Sequence, residues 1–143
     1  MQLSSKGRYA VMAMTDLAGR GGVRPVALAE IAGRQEISLA YLEQLFSRLR
    51  RKGLVTSVRG PGGGYRLSRA SEEISVAEVV LAVDEPLKAT RYAGDGKGCM
   101  TAGARCLTHD LWEETGRQIE SFLGSVSLAD VAAGRVGSRA AAA

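Results

Sequence analysis

The sequence predicts a mostly helical protein with a small β-hairpin: a winged helix-turn-helix domain followed by a long C-terminal dimerisation helix. Three observations lead there. The stretch Ile37–Leu67 reads as helix, turn, strand, glycine hairpin and strand. The charge is split, with 12 Lys/Arg against 4 Asp/Glu in residues 1–70 and 7 against 11 in residues 71–143. Finally, an apolar helical stripe recurs after residue 108, well separated from the first half by a glycine-rich loop.

Taking the elements in order, Ser4 or Ser5 is expected to cap a first helix reaching about Ala18, with Tyr9, Ala10, Ala13, Met14 and Leu17 as its apolar stripe. Lys6 and Arg8 fall in its first turn, where the helix dipole disfavours them; a phosphate nearby would offset that cost. Gly19–Gly22 end that helix, and Pro25-Val26 suits a short extended piece. Leu28, Ile31 and Ala32 predict a second helix ending near Gln35, and Glu36-Ile37 make the turn into the third. There Ser38 is the expected N-cap, Leu39, Leu42, Leu45, Phe46 and Leu49 the apolar face, and Tyr41, Gln44, Ser47, Arg48, Arg51 and Lys52 the opposite face. Gly53 ends it as a left-handed cap.

Leu54, Val55 and Val58 suit one strand, Tyr65-Arg66-Leu67 another, and Arg59-Gly60-Pro61-Gly62-Gly63-Gly64 the basic-tipped wing between them. Helix, helix, tight turn, helix and hairpin complete the winged-helix order, in which the third helix enters the major groove and the hairpin follows the backbone or minor groove. Ile74–Val83 predicts a short buried helix, capped by Ser75 with Glu78 at the capping-box position and stopped by Pro86. After the loop, Thr108 is expected to cap a helix to about Leu123, with Leu111, Trp112, Thr115, Ile119, Phe122 and Leu123 on one face. A second copy of the same helix is the natural cover for that face, since winged-helix regulators read two half-sites; packing onto its own domain is the alternative. Ser127–Ala133 adds a further turn. The division is residues 1–85 as DNA-binding domain, 86–107 as a ligand-bearing loop, 108–134 as dimerisation region and 135–143 as a disordered tail.

The basic half points to double-stranded DNA as partner. The sequence offers no apolar run long enough for a membrane span and no signal-peptide core, so a cytoplasmic protein is expected. There, Cys99 and Cys106 are expected to stay reduced rather than form a structural disulfide. Enzymatic readings fail on the residues. Gly60-x-Gly62 runs on into a strand rather than a helix, no Lys-Ser/Thr completes a phosphate loop, and one histidine supports no hydrolytic triad.

Cys99, Cys106 and His109 form a C-x6-C-x2-H constellation of soft and borderline ligands that matches no common zinc spacing. His109, the single histidine, would stand in the first turn of the last helix, whose positive end suits an anionic guest such as a thiolate-bound iron–sulfur cluster. Idle thiols with a surface histidine are the bland alternative.

The segments LSSKGRYAVMAM, ISLAYLEQLFSRLRRKGLVTSVRGPGGGY, AVDEPLKATR and CLTHDLW resemble the IscR family of bacterial iron–sulfur cluster regulators over nearly the whole chain. The resemblance implies a homodimeric transcription regulator, a repressor at some promoter palindromes, that senses cluster status through a labile 2Fe–2S cluster. It makes residues 86–107 the cluster-binding loop, with Cys99, Cys106 and His109 as three ligands. Tyr92 stands where the family has its first cysteine, which leaves Tyr92 and Asp95 as candidates for the fourth ligand. It also implies DNA contacts from Ser38, Tyr41, Gln44, Arg59, Gly60 and Gly62, and makes Glu43 a selectivity element. Position 40 is Ala where the family often has Ser. The alternative that keeps DNA binding drops the cluster and uses Cys99 and Cys106 as a thiol switch for oxidants or nitric oxide, or as zinc ligands.

Overall fold

In the computed structural model, residues 3–20, 24–87 and 106–137 are described. Tyr92, Asp95, Cys99, the loop over residues 88–105 and the tail from residue 138 lie outside them. The elements run α1 (Ser5–Gly19), α2 (Leu28–Gln35), α3 (Leu39–Arg51), β1 (Val55–Val58), β2 (Gly64–Leu67), a 3₁₀ turn over Ser71–Glu73, α4 (Val76–Ala82), α5 (His109–Gly124) and α6 (Leu128–Ala132). This is the mostly helical fold with one hairpin that the patterning predicts.

The first three helices form where apolar periodicity places them. Ala10, Ala13, Met14 and Leu17 of α1, Ile31 of α2, and Leu42, Leu45, Phe46 and Leu49 of α3 share one buried core. Glu36 takes a left-handed conformation, φ 54°, which turns the chain sharply between α2 and α3. Gly53, at φ 77°, does the same after α3.

β1 and β2 pair antiparallel with Val55 opposite Leu67 and Val58 opposite Gly64. The extended piece at Pro25-Val26 adds a third edge: Val26 bridges Tyr65 through two backbone hydrogen bonds of 2.8 Å. The wing is thereby tied to the entrance of α2. Tyr65 also meets the Phe46 ring edge-on at 5.0 Å, which ties it to α3.

α4 carries the predicted capping box: Ser75 Oγ accepts from the Glu78 N–H at 3.1 Å, and Glu78 accepts from the Ser75 N–H at 2.9 Å. α6 carries a second one, between Ser127 and Asp130. Leu128 of α6 is fully buried in the main core, so the chain returns from α5 onto the winged domain.

Three local expectations are corrected. Ser4 is the N-cap residue of α1, but its hydroxyl hydrogen-bonds the Glu85 carboxylate instead of the helix. Glu85 also accepts from the Ser4 N–H at 3.3 Å, which places a carboxylate at the N-terminal end of α1. Thr108 occupies the N-cap of α5 without capping it: its backbone, at φ −101° and ψ 8°, is not extended, and its Oγ1 accepts from the Trp112 indole N–H at 3.2 Å. Leu39, assigned to the apolar face, is 42% exposed: it starts α3, ahead of the turn that first meets the core.

Candidate nucleic-acid interface and metal-ligand cluster

α3 is held so that its polar face stays outside. Ser38 Oγ accepts from the Tyr41 N–H at 3.4 Å and caps the helix. Glu43 and Gln44 project into solvent, as do Arg59, Gly60 and Gly62 on the wing. Tyr41 differs from its predicted place on the exposed face: it is half-buried and packs edge-on against Tyr9 of α1, ring centroids 5.9 Å apart. It therefore fixes the spacing of α1 and α3. Arg48, also assigned outward, reaches across to α4, donating to the Val83 carbonyl at 3.3 Å with the Asp84 carboxylate at 3.8 Å.

A buried ion-pair group that the sequence does not reveal braces α1 against α2. Asp16 has a side chain only 3% exposed and accepts from Arg34 through both carboxylate oxygens, at 2.7 and 3.0 Å, and from Gln35 at 2.8 Å. The Arg34 hydrogen bond, followed by that of Gln35, holds the Asp16 carboxyl below the usual carboxylate range against the opposing effect of burial. The partners are 18 and 19 residues away in sequence, too far for any local pattern to show.

At the head of α5, two of the predicted ligands share one turn. The His109 N–H donates to the Cys106 carbonyl at 3.1 Å, and the Cys106 sulfur lies 3.6 Å from Thr108 Oγ1. Cys106 is disulfide-bonded, against the expectation of reduced thiols; the chain's other cysteine lies outside the described residues. A sulfur in that state is not a thiolate donor, so Cys106 fits a thiolate-held group only after reduction. The spacing reading missed two side chains beside His109. Asp110 and Glu113 bring carboxylate oxygens close enough that one ligand atom from each of the three residues lies within 4.8 Å of the others. The i, i+4 spacing of His109 and Glu113 was the available signal.

α5 covers little of its apolar stripe. Only Gly116 is buried, while Ile119 and Leu123 lean on a small cluster with Val76, Val80 and Val126. Leu111 and Phe122 are each 57% exposed and Trp112 39%. Among the described residues no helix is long and apolar enough to cross a membrane.

Comparisons with known proteins agree with this architecture. A family model described as Rrf2, iron-dependent transcriptional regulator, matches residues 3–134. The chain is 60% identical over 131 residues to an HTH-type transcriptional regulator IscR of Xenorhabdus nematophila, covering 92% of this chain and 79% of that protein. It is 58% identical over 133 residues to a regulator of Azotobacter vinelandii, covering 93% and 80%. Among solved structures, T. potens IscR superposes with a TM-score of 0.71 at 40% identity, covering 92% of this chain and 85% of that one. The B. subtilis cysteine regulator CymR superposes with a TM-score of 0.77 at 32% identity, covering 93% and 97%. The protein is a DNA-binding transcription regulator rather than an enzyme, and the chain belongs to the Rrf2 family.

Proposed function

We propose that this regulator binds palindromic promoter DNA as a homodimer and has its site choice tuned by a labile 2Fe–2S cluster. The observation that carries DNA reading is the exposed Glu43-Gln44 edge of a capped helix followed by a wing tipped with Arg59. Gln44 suits the two-point hydrogen-bonding edge of adenine, and Arg59 a narrow minor groove. Ser38, Tyr41, Gly60 and Gly62 position the backbone, and Glu43 rejects sites whose phosphates crowd it. Dimerisation is assigned to the uncovered Leu111–Trp112–Phe122 face of α5.

Cys99, Cys106 and His109 would hold the cluster, with Tyr92 or Asp95 completing the set. When bound, the cluster supplies a redox-sensitive, sulfide-bridged iron pair. What this chain contributes is His109 at the start of a helix, where the positive dipole end favours an anionic group. A second reading rests on the disulfide at Cys106: a thiol switch without a cluster. Anaerobic purification with iron and acid-labile sulfide assays separates the two. About two of each per chain supports the cluster; a colourless, iron-free protein whose DNA affinity follows thiol reduction supports the switch. Flat affinity across unrelated DNA duplexes in moderate salt refutes both.

A further inference from the structure

We infer that His109, Asp110 and Glu113 form a site for a single divalent transition-metal ion of the borderline class, such as zinc or ferrous iron, occupied when Cys106 is oxidised. The inference deepens the reading above, because His109 is common to both sites and the two occupants exclude each other there. The geometry carries it. His109 and Glu113 lie one turn apart on α5, with Nε2 3.9 Å from a Glu113 carboxylate oxygen, a separation that an ion between them can span. Asp110 adds a third donor within the 4.8 Å group. One imidazole and two carboxylates make a three-ligand face with open positions, the donor set of mononuclear zinc and ferrous sites.

The surroundings favour occupancy. The His109 side chain is 11% exposed and that of Glu113 33%, so these two ligands are partly sheltered, while Asp110 on the open side is exposed. Glu113 divides its two oxygens: Oε2 faces His109, and Oε1 faces Arg117 at 3.8 Å. Arg117 is held more closely by Glu114, at 2.6 Å, so its pairing with Glu113 is the weaker of the two. The first turn of α5 opposes a cation with about half a positive charge. Two carboxylates outweigh it. None of the three donors is a sulfur, so the site persists in the disulfide form, in which a thiolate-held cluster does not. The ion would therefore mark the oxidised, cluster-free state and hold the head of α5 in order.

The test uses the full chain with the Cys106 disulfide intact, which keeps the Cys106 sulfur from binding metal. Zinc sulfate is titrated in by calorimetry at pH 7.5, with circular dichroism to confirm folding of each variant. The expected result is one zinc per chain, with Glu113→Gln, Asp110→Asn and His109→Ala each weakening binding at least about tenfold. Absence of stoichiometric binding, or affinities unchanged by all three substitutions, overturns the inference. Cluster reconstitution on reduced Glu113→Gln is scored separately. A cluster there with no zinc site in the oxidised wild type sinks the inference and leaves the cluster reading standing. A zinc site with no cluster in any reduced protein does the reverse.

Discussion

Replacing Gly64 by alanine tests how the wing is held. Gly64 sits at φ 151° where β2 passes the entrance of α2, and an added Cβ would overlap the Val26 carbonyl and come within 2.7 Å of the Ala27 nitrogen. Both neighbours are backbone, so neither gives way by a rotamer change. Relief requires β2 to move off Val26, which breaks the two 2.8 Å hydrogen bonds between Val26 and Tyr65. Two backbone bonds contribute about 1 kcal/mol each, and the strained φ for a residue with a side chain adds about 1 kcal/mol or more. A total near 3 kcal/mol lowers the melting temperature by roughly 10 °C for a domain of this size. The wing, freed from α2, also loses its fixed position, so specific DNA affinity falls beyond what stability explains. Thermal unfolding followed by circular dichroism, with fluorescence anisotropy on a promoter duplex at 20 °C, reads both effects. An unchanged melting temperature refutes the claim that the Val26 bridge holds the wing.

Other outcomes follow from single residues. Arg59→Ala is expected to weaken specific binding by about 1–3 kcal/mol, and Glu43→Ala to broaden site choice; competition between cognate and scrambled duplexes measures both. Asp16→Asn removes a hydrogen-bonded charge from a buried pocket, at a cost of about 1–3 kcal/mol at neutral pH in denaturant titrations. Because the folded-state pKa of Asp16 is depressed, its stabilisation is present above the ordinary carboxylate value, near 4, and is lost as pH falls below it through the folded value. The Asn variant should therefore lose less stability than wild type across that acid window. Trp112→Glu together with Phe122→Glu should convert a dimer to monomer by sedimentation without lowering helix content; a persistent dimer would place the interface elsewhere.

The fold was legible wherever local chemistry decides. The stripe of α1, the C-terminal end of α2, the Ser38 cap and the Ser75/Glu78 box all appear as read, because each depends on residues within a turn or two. What escaped depends on distant partners. Ser4 was the right cap position with the wrong bond, since Glu85 is 81 residues away. Thr108 was diverted by Trp112, four residues on, a competition that a cap rule does not weigh. Tyr41 was assigned outward by its place on the helical wheel, and only the nearness of Tyr9 turns it into a packing residue. At the candidate ligand cluster, attention to sulfur spacing hid the carboxylates. Asp110 and Glu113 look like ordinary helix-surface acids until helical periodicity sets Glu113 over His109.

α4 connects the C-terminal half of α5 to the DNA-facing elements. α5 meets its own domain in its C-terminal half, through Ile119 and Leu123, while Leu111 and Trp112 stand uncovered nearer Cys106. Its 16 residues span about 24 Å, so whatever binds near His109 acts at the far end of a lever. The near end is stitched to the entrance of α4: the Val76 N–H donates to the Val126 carbonyl at 2.8 Å, and the Leu128 N–H to the Ile74 carbonyl at 2.9 Å. The exit of α4 is fastened in turn to the recognition helix through Arg48, on Val83 and Asp84, and to α1 through Glu85 on Ser4. α4 is short, capped and buried, so it moves as a unit rather than bending. A change of occupant at His109 that tilts α5 must therefore either break backbone bonds worth about 1 kcal/mol each or carry α4 with it. In the second case Arg48 and Ser4 are displaced together. That route requires no contact between the ligand cluster and DNA, and the Ser127/Asp130 capping box lies at the turn where the lever is fixed.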